Sequence, residues 1–371
     1  MTTSPAAAAA AAAAVDTVVD DDEYAVHFWA ERYALLIGAL RSTPADDVAA
    51  THAAVRAYLK LDAPLQRVVW SYAQKSTAWL LARRWRVTGS VSAGVVGRGY
   101  RRRDESVCDA AREALRAFLW GIFSPDARGI ANMAYGTCHE PPVCLVYYLL
   151  RRGCFDVEHE RGDAMWHDDG DSPSVRVRGT EYMPVVNTVL AWDDGDTESI
   201  TRRVEHITTT GEVPDDILRL VRRPPDASND LRIVHTGLVV SLEHPELGTS
   251  SDGDLYATAE DARAERNPNL LEIKCPASRR VYHTIPEYYK TQIQMSMRLR
   301  RMDYCEFAVW TPDELVVRRY SHDLAYSQTL LDEELDFFWN RFVPNLAAMA
   351  RGQLSTNTLL GEAAASVPQP V

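Results

Sequence analysis

No run of about 18 or more apolar residues occurs in the 371-residue chain, so no segment is long enough to span a bilayer as a helix. No CxxC pair occurs either. The six cysteines, Cys108, Cys138, Cys144, Cys154, Cys275 and Cys305, are scattered, which argues against a disulfide framework and for reduced thiols in an intracellular protein. Cys138-His139 with Cys144 lacks the second ligand pair that a zinc site needs. The N-terminus has no basic region ahead of its alanine run. Instead Asp16, Asp20, Asp21, Asp22 and Glu23 follow it, the reverse of a secretion signal's charge order. No 20–50-residue repeat stands out. The clusters Asp168-Asp169-Gly170-Asp171 and Asp193-Asp194-Gly195-Asp196 lack the spacing and closing glutamate of a calcium loop and read as acidic turns. Positive charge is also short: 40 Lys and Arg against 52 Asp and Glu give a net charge of −12. The sum disfavours a nucleic-acid partner, but distribution decides. Between Arg83 and Arg103 lie seven arginines and no acid, a local strip able to meet phosphates.

What is present is a chain 46% hydrophobic, enough to bury a sizeable core. Residues 1–22 are low-complexity and read as a loose tail. Residues 23–160 read as helical: Val26, Trp29, Tyr33, Leu36 and Leu40 recur at helical spacing, as do Ala111, Leu115, Phe118 and Leu119. Another helix is expected to start at Pro142, pass Leu145, Tyr148 and Leu149, and close at Gly153. Residues 161–235 read as an insertion of hairpins and loops, on the β-branched runs Val185–Leu190 and Ile207–Thr210. Residues 236–350 carry the chemistry and a closing helix. Strands are expected at Ile233–Val240, Leu270–Ile273, Cys305–Trp310 and Leu315–Tyr320. Between the second and third, Thr284, Pro286 and Glu287 announce a helix to about Arg301. A last helix covers about 324–349, with a kink before Pro344, and residues 351–371 form a flexible tail. The whole of 23–350 is expected to be one α/β domain, a central mixed sheet flanked by helices with an N-terminal helical portion.

The segment with chemical content is Gly248-Thr249-Ser250-Ser251-Asp252-Gly253 followed by Leu271-Glu272-Ile273-Lys274-Cys275-Pro276. Successive side chains of a strand alternate faces, so Glu272 and Lys274 point one way and Ile273 points into the core. A carboxylate and an ammonium together on a sheet are costly unless paired or used. Asp252, before a glycine turn, can bring a second carboxylate to the first. Two carboxylates make an oxygen pocket suited to Mg²⁺ or Mn²⁺, and a lysine beside them can hold a water. That is the equipment of phosphodiester hydrolysis.

Four stretches resemble, in order, the lambda-exonuclease (YqaJ-like viral recombinase) branch of the PD-(D/E)XK nucleases: Trp85–Ser90, Tyr135–Pro141, Gly248–Gly253, and Leu271–Pro276 with Tyr289–Gln294. The resemblance spans about 80–320 with a long insertion. It implies the family's fold and the following roles. Asp252, Glu272, the Ile273 carbonyl and Glu140 hold metal. Lys274, with Gln292, positions the attacking water. Gln294 faces elsewhere. Arg83, Ser90, Ser250 and Arg280, with Arg279 as a near substitute, form a basic pocket for a 5′-terminal phosphate. It further implies a Mg²⁺-dependent 5′→3′ exonuclease on double-stranded DNA ends, with two ions in the reactive complex and Mn²⁺ able to substitute. Such an enzyme serves viral or phage recombination or genome processing, in the cytoplasm or a host nucleus, beside a single-strand annealing protein and as a trimer in the phage relatives. Alternatives on the same residues are a structure-specific endonuclease and a catalytically silent DNA-end-binding recombination protein. Ser251 replaces the family's usual proline. The gap from Asp252 to Glu272 exceeds that of the phage enzyme and implies an extended hairpin through Glu260–Asn269. Pro141-Pro142 follows Glu140 where the phage enzyme continues a helix.

Overall fold

The computed structural model describes residues 21–99, 114–115, 117–119, 127–160, 174–282 and 285–354. Helices of five residues or more are α1 (Asp21–Ser42), α2 (Val48–Leu59), α3 (Ala63–Ser71), α4 (Thr77–Arg83), α5 (Gly89–Val95), α6 (Ala127–Arg151), α7 (Gly179–Leu190), α8 (Thr197–Thr210), α9 (Ala259–Arg263), α10 (Glu287–Arg300), α11 (Leu324–Asp336) and α12 (Val343–Ala350). The strands are β1 (Val87–Thr88), β2 (Glu158–Glu160), β3 (Ser174–Arg178), β4 (Arg232–Val234), β5 (Val239–Val240), β6 (Leu247–Thr249), β7 (Gly253–Tyr256), β8 (Asn269–Lys274), β9 (Tyr304–Trp310) and β10 (Glu314–Ser321).

A seven-stranded mixed sheet runs β2-β3-β10-β9-β8-β7-β4. Its β8–β9 pair is parallel and the other pairs are antiparallel. A second sheet of three strands runs β1-β6-β5. Helices flank the large sheet on both faces, as the alternation of β8 requires. Leu271 and Ile273 pack under α6, α7 and α8 with Val143, Tyr147, Val186 and Val204. Leu270 faces the other way, onto Ile293 and Met297 of α10. A third cluster joins the N- and C-terminal helices through Leu36, Leu40, Leu59, Trp85, Phe338, Phe342 and Leu346. Among the described residues no helix is long and apolar enough to cross a membrane.

Several expectations need correction. Val185–Leu190 and Ile207–Thr210 lie in helices α7 and α8, where hairpins were expected. Tyr182, Val185, Val186 and Val189 are buried, as are Ile200, Val204, Ile207 and Thr208. Both sets recur at the 3.6-residue period, and tertiary burial of that stripe overrides β-branched propensity. The expected strand Ile233–Val240 is two strands in two sheets, β4 and β5, broken at His235–Leu238. The connection through Glu260–Asn269 does join an antiparallel pair, β7 and β8, but is not extended throughout. It holds α9, capped by Thr258, whose side chain accepts from the Asp261 amide. Helix α6 starts at Ala127 and passes through Pro141 and Pro142, rather than beginning at the second proline. It does end as the sequence indicates. Gly153 has φ +75°, and the Cys154 and Gly153 amides donate to the Leu149 and Leu150 carbonyls, each at 3.0 Å, a Schellman closure. The N-cap of α10 is Pro286; Thr284 lies outside the described residues, as do the Asp168–Asp171 cluster and Arg101–Arg103. The acidic turn at Asp193–Asp196 is as expected: Asp196 caps α8 by accepting from the Ser199 amide. The closing helix bends through a π-helical stretch, Phe337–Phe342, before Pro344.

Candidate active site

Two short links carry the chain between the two sheets. It leaves β4 for β5 through His235–Leu238, and leaves β6 for β7 through Ser250–Asp252. Gln74 laces the crossings together, its side-chain amide donating to the Ser251 carbonyl at 2.7 Å and the Thr236 carbonyl at 3.2 Å. Close approach at Gly237 fixes the loop that carries Gln74, because a Cβ there would lie 2.2 Å from the Tyr72 carbonyl oxygen. Asp252 is therefore held where one sheet hands over to the other, beside the end of β8.

There Asp252 Oδ2 accepts from the Ile273 amide at 2.6 Å. In an antiparallel pair one residue's N–H and C=O point to the same neighbour, so the Ile273 carbonyl faces the Asp252 side. Glu272 and Lys274 share a face and pair directly. Gln292 of α10 donates to Glu272 Oε1 at 2.6 Å. Glu140 arrives from α6, on the opposite face of the sheet, and lies within electrostatic reach of Asp252, Glu272 and Lys274. The structure thus links Asp252, Ile273, Glu272, Lys274 and Gln292 by direct contacts, with Glu140 within electrostatic reach of them. Gln294 points away: it donates to the Ser321 carbonyl and accepts from the Asp323 amide.

Burial sets the electrostatics. It pushes the Glu272 carboxyl up to about 8, and Asp252 and then Glu140 push the same way against the pull of Lys274. Glu140 is raised by burial and by Asp252, with Lys274 and Lys75 opposing. Burial pulls the Lys274 ammonium down, but Glu272, Asp252 and Glu140 outweigh it and hold it charged. The donor set is all oxygen, three carboxyls and a backbone carbonyl, which suits a hard divalent cation. The side chains as they stand are not closed around a point: among the described residues no three His, Cys, Asp or Glu side chains are gathered at ligating distance. The reason is visible, since one Glu272 oxygen is taken by Lys274 and Gln292 and one Asp252 oxygen by an amide.

The early motif packs directly on this centre. A Cβ on Gly89 would lie 3.1 Å from Gln292 Cγ, so the glycine lets α5 press against α10. Arg83 donates to Thr88 Oγ1 and Ser90 Oγ, both at 2.7 Å. Its guanidinium sits 4.0 Å from the Trp79 ring centre, and Trp79 Nε1 donates to Ser250 Oγ at 3.1 Å. Arg83, Ser90 and Ser250 are therefore joined in one contact network through Trp79, with Ser90 exposed at its edge. Burial pushes the Arg83 guanidinium down to about 10. Arg280 is exposed and forms no ion pair among the described residues, and no contact joins it to this network. Arg279 hydrogen-bonds the Tyr135 hydroxyl instead. The arginine strip does not act as one face. Arg86 is buried and donates to the Ala82, Leu59 and Pro245 carbonyls. Arg84 stacks on Tyr33 and Trp85, and Arg98 pairs with Glu333.

Three residues near the site are not legible in the sequence. Lys75 lies 3.7 Å from Glu140 Oε2, Gln74 laces the crossings, and half-buried His235 hydrogen-bonds the backbone of Asp252 while lying 3.8 Å from Cys144 Sγ. Lys75 carries no motif, and His235 sits in a segment that reads as uninterrupted strand. His139 stacks between Tyr135 and Trp310, at 4.1 and 5.0 Å between ring centres, which fits a packing role. Scanned against protein-family models and against characterised proteins, the chain returns no match.

Proposed function

We propose that this chain is a divalent-metal-dependent deoxyribonuclease with the PD-(D/E)XK architecture, of the lambda-exonuclease type, that degrades double-stranded DNA from 5′-phosphorylated ends. The observation that carries the reading is the meeting of Asp252, Glu272 and Lys274 at the crossing between the sheets. Glu140 and Gln292 join them there from helices on opposite faces. A second support is the pocket of Arg83, Ser90 and Ser250, which adjoins that centre and suits a phosphate.

Asp252, Glu272, Glu140 and the Ile273 carbonyl would hold Mg²⁺ or Mn²⁺. A bound ion of this kind supplies charge against the phosphate and acidifies a water. The chain's own groups do the rest. Lys274 and Gln292 already converge on one Glu272 oxygen, so a water accepting from Lys274 and donating to Glu272 has its lone pairs aimed by fixed groups. The ammonium opposes the negative charge that builds on the phosphate as the nucleophile closes. Arg83, Ser90 and Ser250 hold the terminal phosphate and so fix which bond lies over the carboxylates.

The test is digestion of a linear 5′-phosphorylated duplex and of a closed circle in Mg²⁺ or Mn²⁺. The wild type is expected to degrade the linear DNA and spare the circle. Lys274→Ala is expected to lose at least about 10³-fold in rate while keeping its circular-dichroism spectrum. Cutting of the circle would replace the exonuclease reading by an endonuclease on the same residues. Binding of ends without any digestion would sink the enzyme reading.

A further inference from the structure

Lys75 stands in a conformation that its residue type does not favour. Its φ is +71°, in the left-handed region where a Cβ crowds the backbone and glycine is the natural occupant. Strain of this kind persists only where the surroundings impose it, and it gathers at functional sites. The surroundings here are firm. The Trp70 and Val69 carbonyls accept from the Gly237 and Leu238 amides, Gln74 is tied to both crossings, and Ser76 caps α4 by accepting from the Trp79 amide at 3.2 Å. The side chain itself is not packed away: it is 58% exposed.

The position is informative as well. Gln74, immediately before Lys75, holds the Ser251 carbonyl next to Asp252. Helix α4, one residue after it, carries Trp79 and Arg83 into the pocket with Ser250. Lys75 thus lies where the carboxylate centre and the arginine pocket are joined. Its ammonium donates to Thr137 Oγ1 at 3.1 Å and stays 3.7 Å from Glu140, too far for a hydrogen bond. The other ammonium of the site, Lys274, is in direct contact with its carboxylate. Lys75 is the cation there whose carboxylate contact is loose, a 3.7 Å ion pair with Glu140 that leaves its side chain more than half exposed.

We propose that Lys75 is a further catalytic residue, whose ammonium binds a non-bridging phosphate oxygen of the DNA strand lying between the Arg83 pocket and the Asp252–Glu272 centre. This rests on the nuclease reading for its substrate, so the experiment separates the two. Affinity for a 5′-phosphorylated duplex is measured in Ca²⁺ from about 50 to 200 mM salt, and single-turnover cleavage in Mg²⁺, for wild type, Lys75→Gly and Lys75→Arg. Glycine accepts the left-handed backbone, so Lys75→Gly is expected to melt no lower than wild type. Its slope of log affinity against log salt is expected to be shallower by about 0.9, one phosphate contact fewer, and its cleavage slower by about 10²-fold. Lys75→Arg is expected to recover the slope. A Lys75→Gly protein with wild-type slope and rate overturns the proposal. A wild type that cuts nothing while Lys75→Gly still loses slope defeats the nuclease reading and leaves Lys75 as a phosphate contact. A wild type that binds no duplex defeats both.

Discussion

Asp252 and Asp254 lie two residues apart and are provided for in opposite ways. Asp254 is fully buried on β7 and is met by both ends of the Arg300 guanidinium and by Ser251 Oγ. Buried Glu306 on β9 is treated alike, with Tyr147, Arg319 and Arg151 around it. Asp252 and Glu140 instead push the Glu272 carboxyl upward, and among the described residues Lys274 is the cation in direct contact with it. A carboxylate that serves the fold is surrounded by donors. Asp252 and Glu272 are left among like charges, where a further positive group gains most from arriving.

The sharpest way to break this contrast is Arg300→Met. Stranding the buried Asp254 charge is expected to cost about 3–5 kcal/mol of stability, read from the denaturant midpoint. A loss under 1 kcal/mol would mean that Asp254 is no better provided for than its neighbour. Glu334 sharpens the contrast differently. It is buried with Ser92 as its hydrogen-bond partner and no cation in contact, and burial pushes its carboxyl up to about 8. The folded state therefore prefers the protonated form. Its stability contribution is complete below the unfolded value of about 4.3 and is lost as pH rises from there through about 8. Glu334→Gln, which keeps an acceptor for Ser92, is expected to flatten the fall of melting temperature over that window and to gain stability at pH 8. An unchanged pH profile would count against protonation as the remedy. The smallest effect is expected at Trp79→Phe, which keeps a ring under Arg83 but removes the donor to Ser250. Preference for a 5′-phosphate over a 5′-hydroxyl end should fall by about fivefold, the worth of one net hydrogen bond. An unaltered preference would detach Ser250 from the pocket.

What the sequence disclosed follows from the range of the physics involved. The face shared by Glu272 and Lys274 is a matter of neighbours two residues apart, and strands β8, β9 and β10 announce themselves by composition. The meeting of Arg83, Ser90 and Ser250 is reachable through the motif resemblance, whereas Arg279, carried over in register, lies against Tyr135. Helices α7 and α8 hide behind their valine, isoleucine and threonine runs, whose β propensity competes with the helical spacing of the buried members. Lys75 and His235 were out of reach altogether. Each acts on a residue at least 17 positions away, through a loop and a strand break that only packing defines.

Helix α6 changes character at Glu140. Pro141 through Leu150 are all buried, while nothing from Ala127 to Glu140 is. Neither proline has an amide hydrogen to give the carbonyl four residues back, so those of Thr137 and Cys138 lose their helical donors. Two rungs of the ladder are missing at the level where the rod emerges from the core. The acidic side chain that the candidate site takes from this helix is mounted at that thinned turn of the ladder.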